Sequence, residues 1–276
     1  MFNKLLVRDF KSLTRQKRGL TIFFLQIGIA VVTIVYLVLL YFLMKYVKVE
    51  VGEGDVMEQI SSMSMLSFPM SATFFGAFFM TYGLIITVIL IGTLISSEIK
   101  NKQWVLPINA GHNSKSLFLS KLITSECWVT GSALVGIIIH FLFTIIFCDP
   151  LGGKVWQLLT FYLFIVLSLV MFVAVIISLN FITKKSWVGI VIFLVSVMLL
   201  PAVFAEIPIG NYSLLDYLPL SFYSFVSDGA MKLFALKNFG SLYTPLQWVT
   251  NFAVYFLILI GFPLWAIASS KIKATK

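Results

Sequence analysis

The chain has 276 residues, 60% of them hydrophobic and only 11% charged, with a formal net charge of +9 and a mean hydropathy of +1.01. A water-soluble domain carries about a quarter charged residues, so this composition cannot cover a water-facing surface, and a soluble globular fold is excluded. The basic residues lie beside long apolar runs, which ties them to membrane topology and lipid headgroups rather than to nucleic acid.

Backbone in lipid must be helical or a closed barrel. The apolar runs exceed the length a bilayer needs and do not alternate with period two, so the expected fold class is an all-α membrane protein forming one transmembrane domain. Residues 1–18 read as an amphipathic helix lying in the headgroup plane. Lys4, Arg8, Lys11, Arg15 and Arg18 form the membrane-surface face, with Phe2, Leu5, Leu6, Phe10 and Leu13 opposite. Asp9 falls on the apolar face, where nothing local accounts for it. The apolar run that follows is too long for a signal-peptide core, so a cleaved leader is not expected.

Six spans are expected, at about 20–44, 68–95, 122–148, 158–183, 187–205 and 246–268. Pro69 is a candidate break near the end of the second. An even number of spans puts both termini on one side. With the termini in the cytosol, fifteen of the twenty lysines and arginines fall inside and five outside, which decides the orientation. The segment 206–245 then lies outside. It is rich in aromatics, and short re-entrant helices are expected there.

The stretch 96–121 is the longest polar interruption that carries basic charge. It contains Glu98, Lys100, Lys102, Lys115 and Lys121, a Leu106-Pro107 break and a Gly111-His112-Asn113 turn signal. Pro and Gly divide it into two short helical pieces, and it reads as a cytosolic docking element between spans two and three.

Residues that could carry chemistry are few. Gly111 to Ser116 resembles a phosphate-binding loop only superficially, lacking the second glycine, so the chain is not expected to hydrolyse ATP by itself. His112 and His140 lie in a loop and in a span, so they are not expected to share a metal. Ser132 and His140 are too far apart along one helix to act as nucleophile and base; Ser132 and Gly136 fit a close-packing face instead. Cys127 and Cys148 are about 31 Å apart on one helix at 1.5 Å per residue and cannot bridge. Among intramembrane polar groups, Gln26 and Asn180 are expected to hydrogen-bond neighbouring helices. His140 reads as a neutral, bonded histidine, with a pathway or proton-relay role as the alternative. Glu126 is expected near the cytosolic end of its span, within reach of solvent.

This layout resembles the membrane subunit of type-two ABC exporters: an interfacial N-terminal helix, six spans, cytosolic ends and no ATPase domain. The matching positions are Glu98, Asn101-Lys102-Gln103-Trp104, Pro107-Ile108-Asn109 and Ser120-Lys121 in the loop after span two, and Tyr217-Leu218-Pro219 before the last span. The basic residue that usually follows the Pro step is displaced here to Lys115. The resemblance implies a bacterial plasma-membrane protein that pairs with a second membrane subunit, alike or different, and with two cytosolic ATPases that bind ATP and Mg. No cofactor is implied in the chain itself. In the ATPase-coupling set, Trp104, Leu106 and Pro107 would form an apolar knob, Glu98, Lys100 and Lys102 its polar rim, and Lys121 the lead into span three. Short members of this kind export amphipathic, antimicrobial or toxin peptides or give immunity to them; the phenol-soluble modulin exporters are the nearest likeness. The alternative is an ion-coupled carrier or channel without an ATPase, against which stands the lack of a chain of acidic residues across the spans.

Overall fold

The computed structural model describes residues 2–46, 68–148, 155–227 and 242–269. Most of the acidic residues of the expected outer loops, and the basic tail after 269, lie outside these.

Helix α1 (Phe2–Arg15) is followed by a bend at Gln16 and then by α2 (Lys17–Tyr46). The 1–18 boundary is corrected here: Arg18 belongs to the first turn of the first span. The bend depends on Gly19, where a Cβ would overlap the Leu13 carbonyl oxygen. Span two is built from α3 (Phe68–Phe78), a π-helical turn (Phe79–Leu84) and α4 (Ile85–Lys100). Pro69 sits in the first turn, where its missing N–H costs nothing, and it does not break the span. The irregularity falls instead at the π turn, beside Gly83, where a Cβ would come within 2.6 Å of Ile29 Cδ1 on α2.

The short α5 (Val105–Asn109) follows, and then α6 (Ser114–Phe147). The second half of the 96–121 stretch is thus the first two turns of a helix that runs unbroken through span three. Its start is fixed by Asn113, whose side chain accepts from Lys115 N at 3.1 Å. Helix α7 (Val155–Thr183) supplies span four. Span five is α8 (Ser186–Met198) continued by α9 (Leu200–Ala205), with Pro201 at the junction. A two-residue hairpin, β1 (Pro208–Ile209) with β2 (Tyr212–Ser213), was not expected from sequence; it turns at Gly210, whose φ is +63°. A 3₁₀ turn (Leu214–Tyr217) and α10 (Leu220–Ser227) lie within 206–245, and 228–241 lies outside the described residues. Span six is α11 (Pro245–Ser269).

Among the described residues, six helical segments are long and apolar enough to cross a membrane: 17–43, 69–100, 114–147, 155–183, 187–205 and 245–269. Helix α7 is the centre of the bundle. It packs against α4, α6, α8, α10 and α11, and is the most buried span, whereas α8 and α11 bury few of their side chains. Helix α2 lies along α6, and closely so: a Cβ on Gly136 would stand 2.6 Å from the Gln26 carbonyl oxygen. The amphipathic α1 also lies on α6, burying Leu5, Asp9 and Leu13 while Lys4, Arg8, Lys11 and Arg15 face outward.

Candidate functional site

The 96–121 stretch is shaped by its helix ends. At the end of α4, Gln103 N bonds to Glu98 O at 3.1 Å and Lys102 N to Ile99 O at 3.1 Å. This is a Schellman closure with Lys102 in the left-handed position usually held by glycine, at φ 56°. The chain then turns back, and Trp104 swings inward over the end of α7. Its ring lies 5.0 Å from that of Phe181, which in turn lies 4.7 Å from Phe118 at the start of α6.

Beneath Trp104 lies a buried ionic hub. Lys121 Nζ bonds Glu98 Oε1 at 2.9 Å and lies 2.9 Å from Oε2 and 3.3 Å from Asp9 Oδ1. Trp104 Nε1 donates to Glu98 Oε2 at 3.3 Å. Ser120 Oγ donates to Asp9 Oδ2 at 2.6 Å, and Arg8 closes over Asp9 Oδ1 at 2.7 Å from Nη2. Two carboxylates are therefore matched by one buried ammonium and one half-exposed guanidinium. Pairing and full hydrogen bonding make such burial tolerable. The hub borders a cavity of about 190 Å³ that Arg8, Ser12 and Gln103 open toward the surface.

These contacts change the expected roles within the coupling set. Trp104 is 5% exposed and Glu98 3%, and Pro107 and Lys121 are buried as well. They tie α1, α4 and α6 together and do not form an outward knob and rim. The exposed residues of the stretch, among those described, are Lys100 to Gln103, Asn109 to Gly111, Asn113 and Lys115. Leu106 lies in α5, its side chain outside the description. Lys4, Lys11 and Arg15 are exposed on α1, whereas Arg18 donates to Thr93 O and to Ser97 Oγ, each at 3.1 Å, and braces span one on span two. Asp9, unaccounted for in the sequence, is the arm's buried anchor. The signal was present: a lone acid on the apolar face of a basic helix needs a cation.

The intramembrane polar residues hold spans together. Gln26 Nε2 donates to Thr87 Oγ1 at 2.7 Å, beyond the π turn. Asn180 Nδ2 donates to Gly92 O at 3.2 Å. Gly189 makes room on the other side, since a Cβ there would come within 2.6 Å of Asn180 Oδ1. Asn180 thus joins spans two, four and five one residue from the ring on which Trp104 rests.

His140 is stacked on Phe75 at 4.2 Å and bonded on both nitrogens. Nε2 lies 3.0 Å from Ser71 Oγ and 3.2 Å from Ser71 O, and Nδ1 lies 2.7 Å from the Tyr162 hydroxyl, so each ring nitrogen has a hydrogen-bond partner. Ser71 and Thr144 complete the network, which reads as a neutral histidine pinning spans two, three and four. Glu126 departs from expectation: both carboxyl oxygens are buried, and neither has a hydrogen-bond partner among the described residues. Among the described residues no three His, Cys, Asp or Glu side chains group as metal ligands.

Six apolar helices and their packing define a multi-pass helical membrane protein. No family model matches the chain, and no curated protein matches it significantly.

Proposed function

We propose that the chain is the membrane subunit of an ATP-driven ABC exporter, working with a second membrane subunit and a pair of separate cytosolic ATPases that hold ATP and Mg. Supporting this reading is the hub, in which one short stretch after span two is wired into the N-terminal arm and, directly or through Phe181 and Asn180, into spans two to five. The turn 100–103 is exposed and basic, and it lies at the end of α4. Immediately behind it, Glu98, Trp104 and Lys121 reach α1, α6 and, through Phe181 and Asn180, spans two, four and five. Force applied to that turn is delivered to rigid helices over a few ångströms. A solvated loop that only sets topology needs no buried ion pairs.

On this reading the docking contacts fall to Lys100, Asn101, Lys102 and Gln103, and the buried Trp104, Glu98 and Lys121 relay the motion. Both termini and the hub lie in the cytosol of a bacterial cell, and the cargo is an amphipathic or antimicrobial peptide, for export or immunity. The test is co-purification with the ATPase encoded beside this gene, followed by ATP turnover with and without candidate peptides. Charge reversal of Lys100 and Lys102 to Glu is expected to release the ATPase while leaving thermal stability unchanged. An unchanged complex would remove the docking role.

A second reading, an ion-coupled carrier, is favoured by one observation, the unpartnered Glu126 carboxyl inside the bundle. It predicts transport that persists without ATP and stops when the ion gradient is collapsed.

A further inference from the structure

The hub holds one buried ammonium between two carboxylates that arrive on different elements. Glu98 comes from the last turn of α4, beside the exposed turn 100–103, and Asp9 from the middle of the arm α1, while Lys121 is built into the unbroken helix of span three. Lys121 does not serve the two equally. Nζ lies 2.9 Å from each Glu98 oxygen, whereas Asp9 Oδ1 is 3.3 Å away. Charge-assisted bonds settle at about 2.7–2.9 Å, so the Glu98 pair is complete and the Asp9 pair is stretched.

Arg8 does not make up the difference. It sits next to Asp9 on the arm, bonds it at 2.7 Å from Nη2, and travels with it whether or not the arm is seated. Among the described residues, the only side-chain hydrogen bond and ion pair from α1 to a span are those of Asp9, to Ser120 and Lys121. Lys121 therefore bears on the seating of the arm, and Glu98 draws on the same charge. The two carboxylates also repel each other across it. Rearrangement needs room, and the hub has it. The cavity of about 190 Å³ is lined by Asp9, Glu98, Trp104 and Lys121, where a close-packed core would hold the ammonium fixed.

We propose that Lys121 is a latch for which the arm and the end of span two compete. Drawing Glu98 aside lets the ammonium close on Asp9 and fastens α1 to span three; lifting the arm fastens Glu98 to Lys121 instead. Motion of the turn 100–103 is thereby converted into tighter or looser seating of the arm. The opposite behaviour is that of a static brace, in which every contact supports the others and the loss of one loosens all. The latch deepens the export reading, resting on it only for the partner that moves the turn, and it is measurable without that partner.

Amide hydrogen exchange of the full chain in lipid nanodiscs, read by mass spectrometry, separates the two behaviours. Glu98→Gln removes the charge while keeping the side chain's size and an acceptor for Trp104 Nε1. Exchange in 2–15 is expected to slow roughly tenfold, the weight of one tightened charge-assisted contact. Asp9→Asn, on the peripheral arm, reads the latch from the other side: exchange in 2–15 should rise while that in 94–100 slows. Lys121→Met removes the shared charge and should speed exchange in both segments. Faster or unchanged exchange of the arm in Glu98→Gln would overturn the proposal. So would faster or unchanged exchange of 94–100 in Asp9→Asn, a result that stands even where Glu98→Gln fails to fold, and so would an arm indifferent to Lys121→Met. Retention of the ATPase after charge reversal at Lys100 and Lys102, by contrast, counts against the docking reading and leaves the exchange result standing.

Discussion

At the scale of single residues, Lys121 and Glu126 show two outcomes for charge in a lipid-solvated protein. Lys121 stands between two carboxylates, so its removal leaves both buried and uncompensated. Lys121→Met is expected to cost about 3–5 kcal/mol, the usual penalty for breaking a buried pair from one side. Thermal unfolding in detergent measures it. Adding Asp9→Asn and Glu98→Gln to that variant should recover much of the loss, because the stranded charges are gone. Glu126 has no comparable partner among the described residues. Glu126→Leu should therefore raise stability by roughly 1–3 kcal/mol, the cost of leaving a buried polar group unsatisfied. If transport falls at the same time, the carboxyl is retained for function at the expense of stability. A lower melting temperature would mean that the carboxyl is satisfied within the chain, and would overturn this expectation.

Among the elements, close approach is set by glycine and by helix ends. Span one lies against span three because Gly136 offers no Cβ to the Gln26 carbonyl. Gly136→Leu would force the two apart and carry Gln26 away from Thr87, and overpacking of this kind costs about 1–3 kcal/mol. Gly131→Leu, on the same helix but with open space at its Cβ, should be nearly silent. The comparison, read as melting temperatures, separates packing from helix propensity. The sequence made the small-residue face at Ser132 and Gly136 legible, since spacing on one helix is a local property. It did not show which helix the face meets. It also missed the π turn, because an α-helix and a π turn share one apolar pattern and differ in the fit of Gly83 to α2. The continuity of 114–121 with span three was hidden for another reason: the Gly111-His112-Asn113 signal was correct, but the polar residues after it read as a short helical piece of their own, although they run unbroken into span three and pack on α1.

For the whole molecule, the two ends differ in character. One carries the basic arm, the hub and two helix termini closed by lysines in left-handed conformation, Lys102 and Lys184. The other carries the hairpin and α10. Lys102→Cys is expected to react with a membrane-impermeant maleimide in inside-out vesicles and not in intact cells, whereas Tyr212→Cys in the hairpin should show the opposite pattern. Labelling of both from the same side would break the six-span arrangement, and labelling of Lys102→Cys from outside would reverse the orientation on which the ATPase reading depends.

Hydropathy is a sum over neighbouring residues, and the choice of solvent follows from it. The sequence by itself therefore determined that this is a helical membrane protein, where its six spans lie, and that 96–121 is the exceptional polar stretch. Which charges meet was decided only in three dimensions. Asp9 and Ser120 are 111 residues apart, and no local pattern records that the buried face of α1 and the start of α6 bring them together over Glu98. Buried ion pairing depends on convergence in space, so the inward turn of Trp104, the hub beneath it and the solitary Glu126 belong to the tertiary structure.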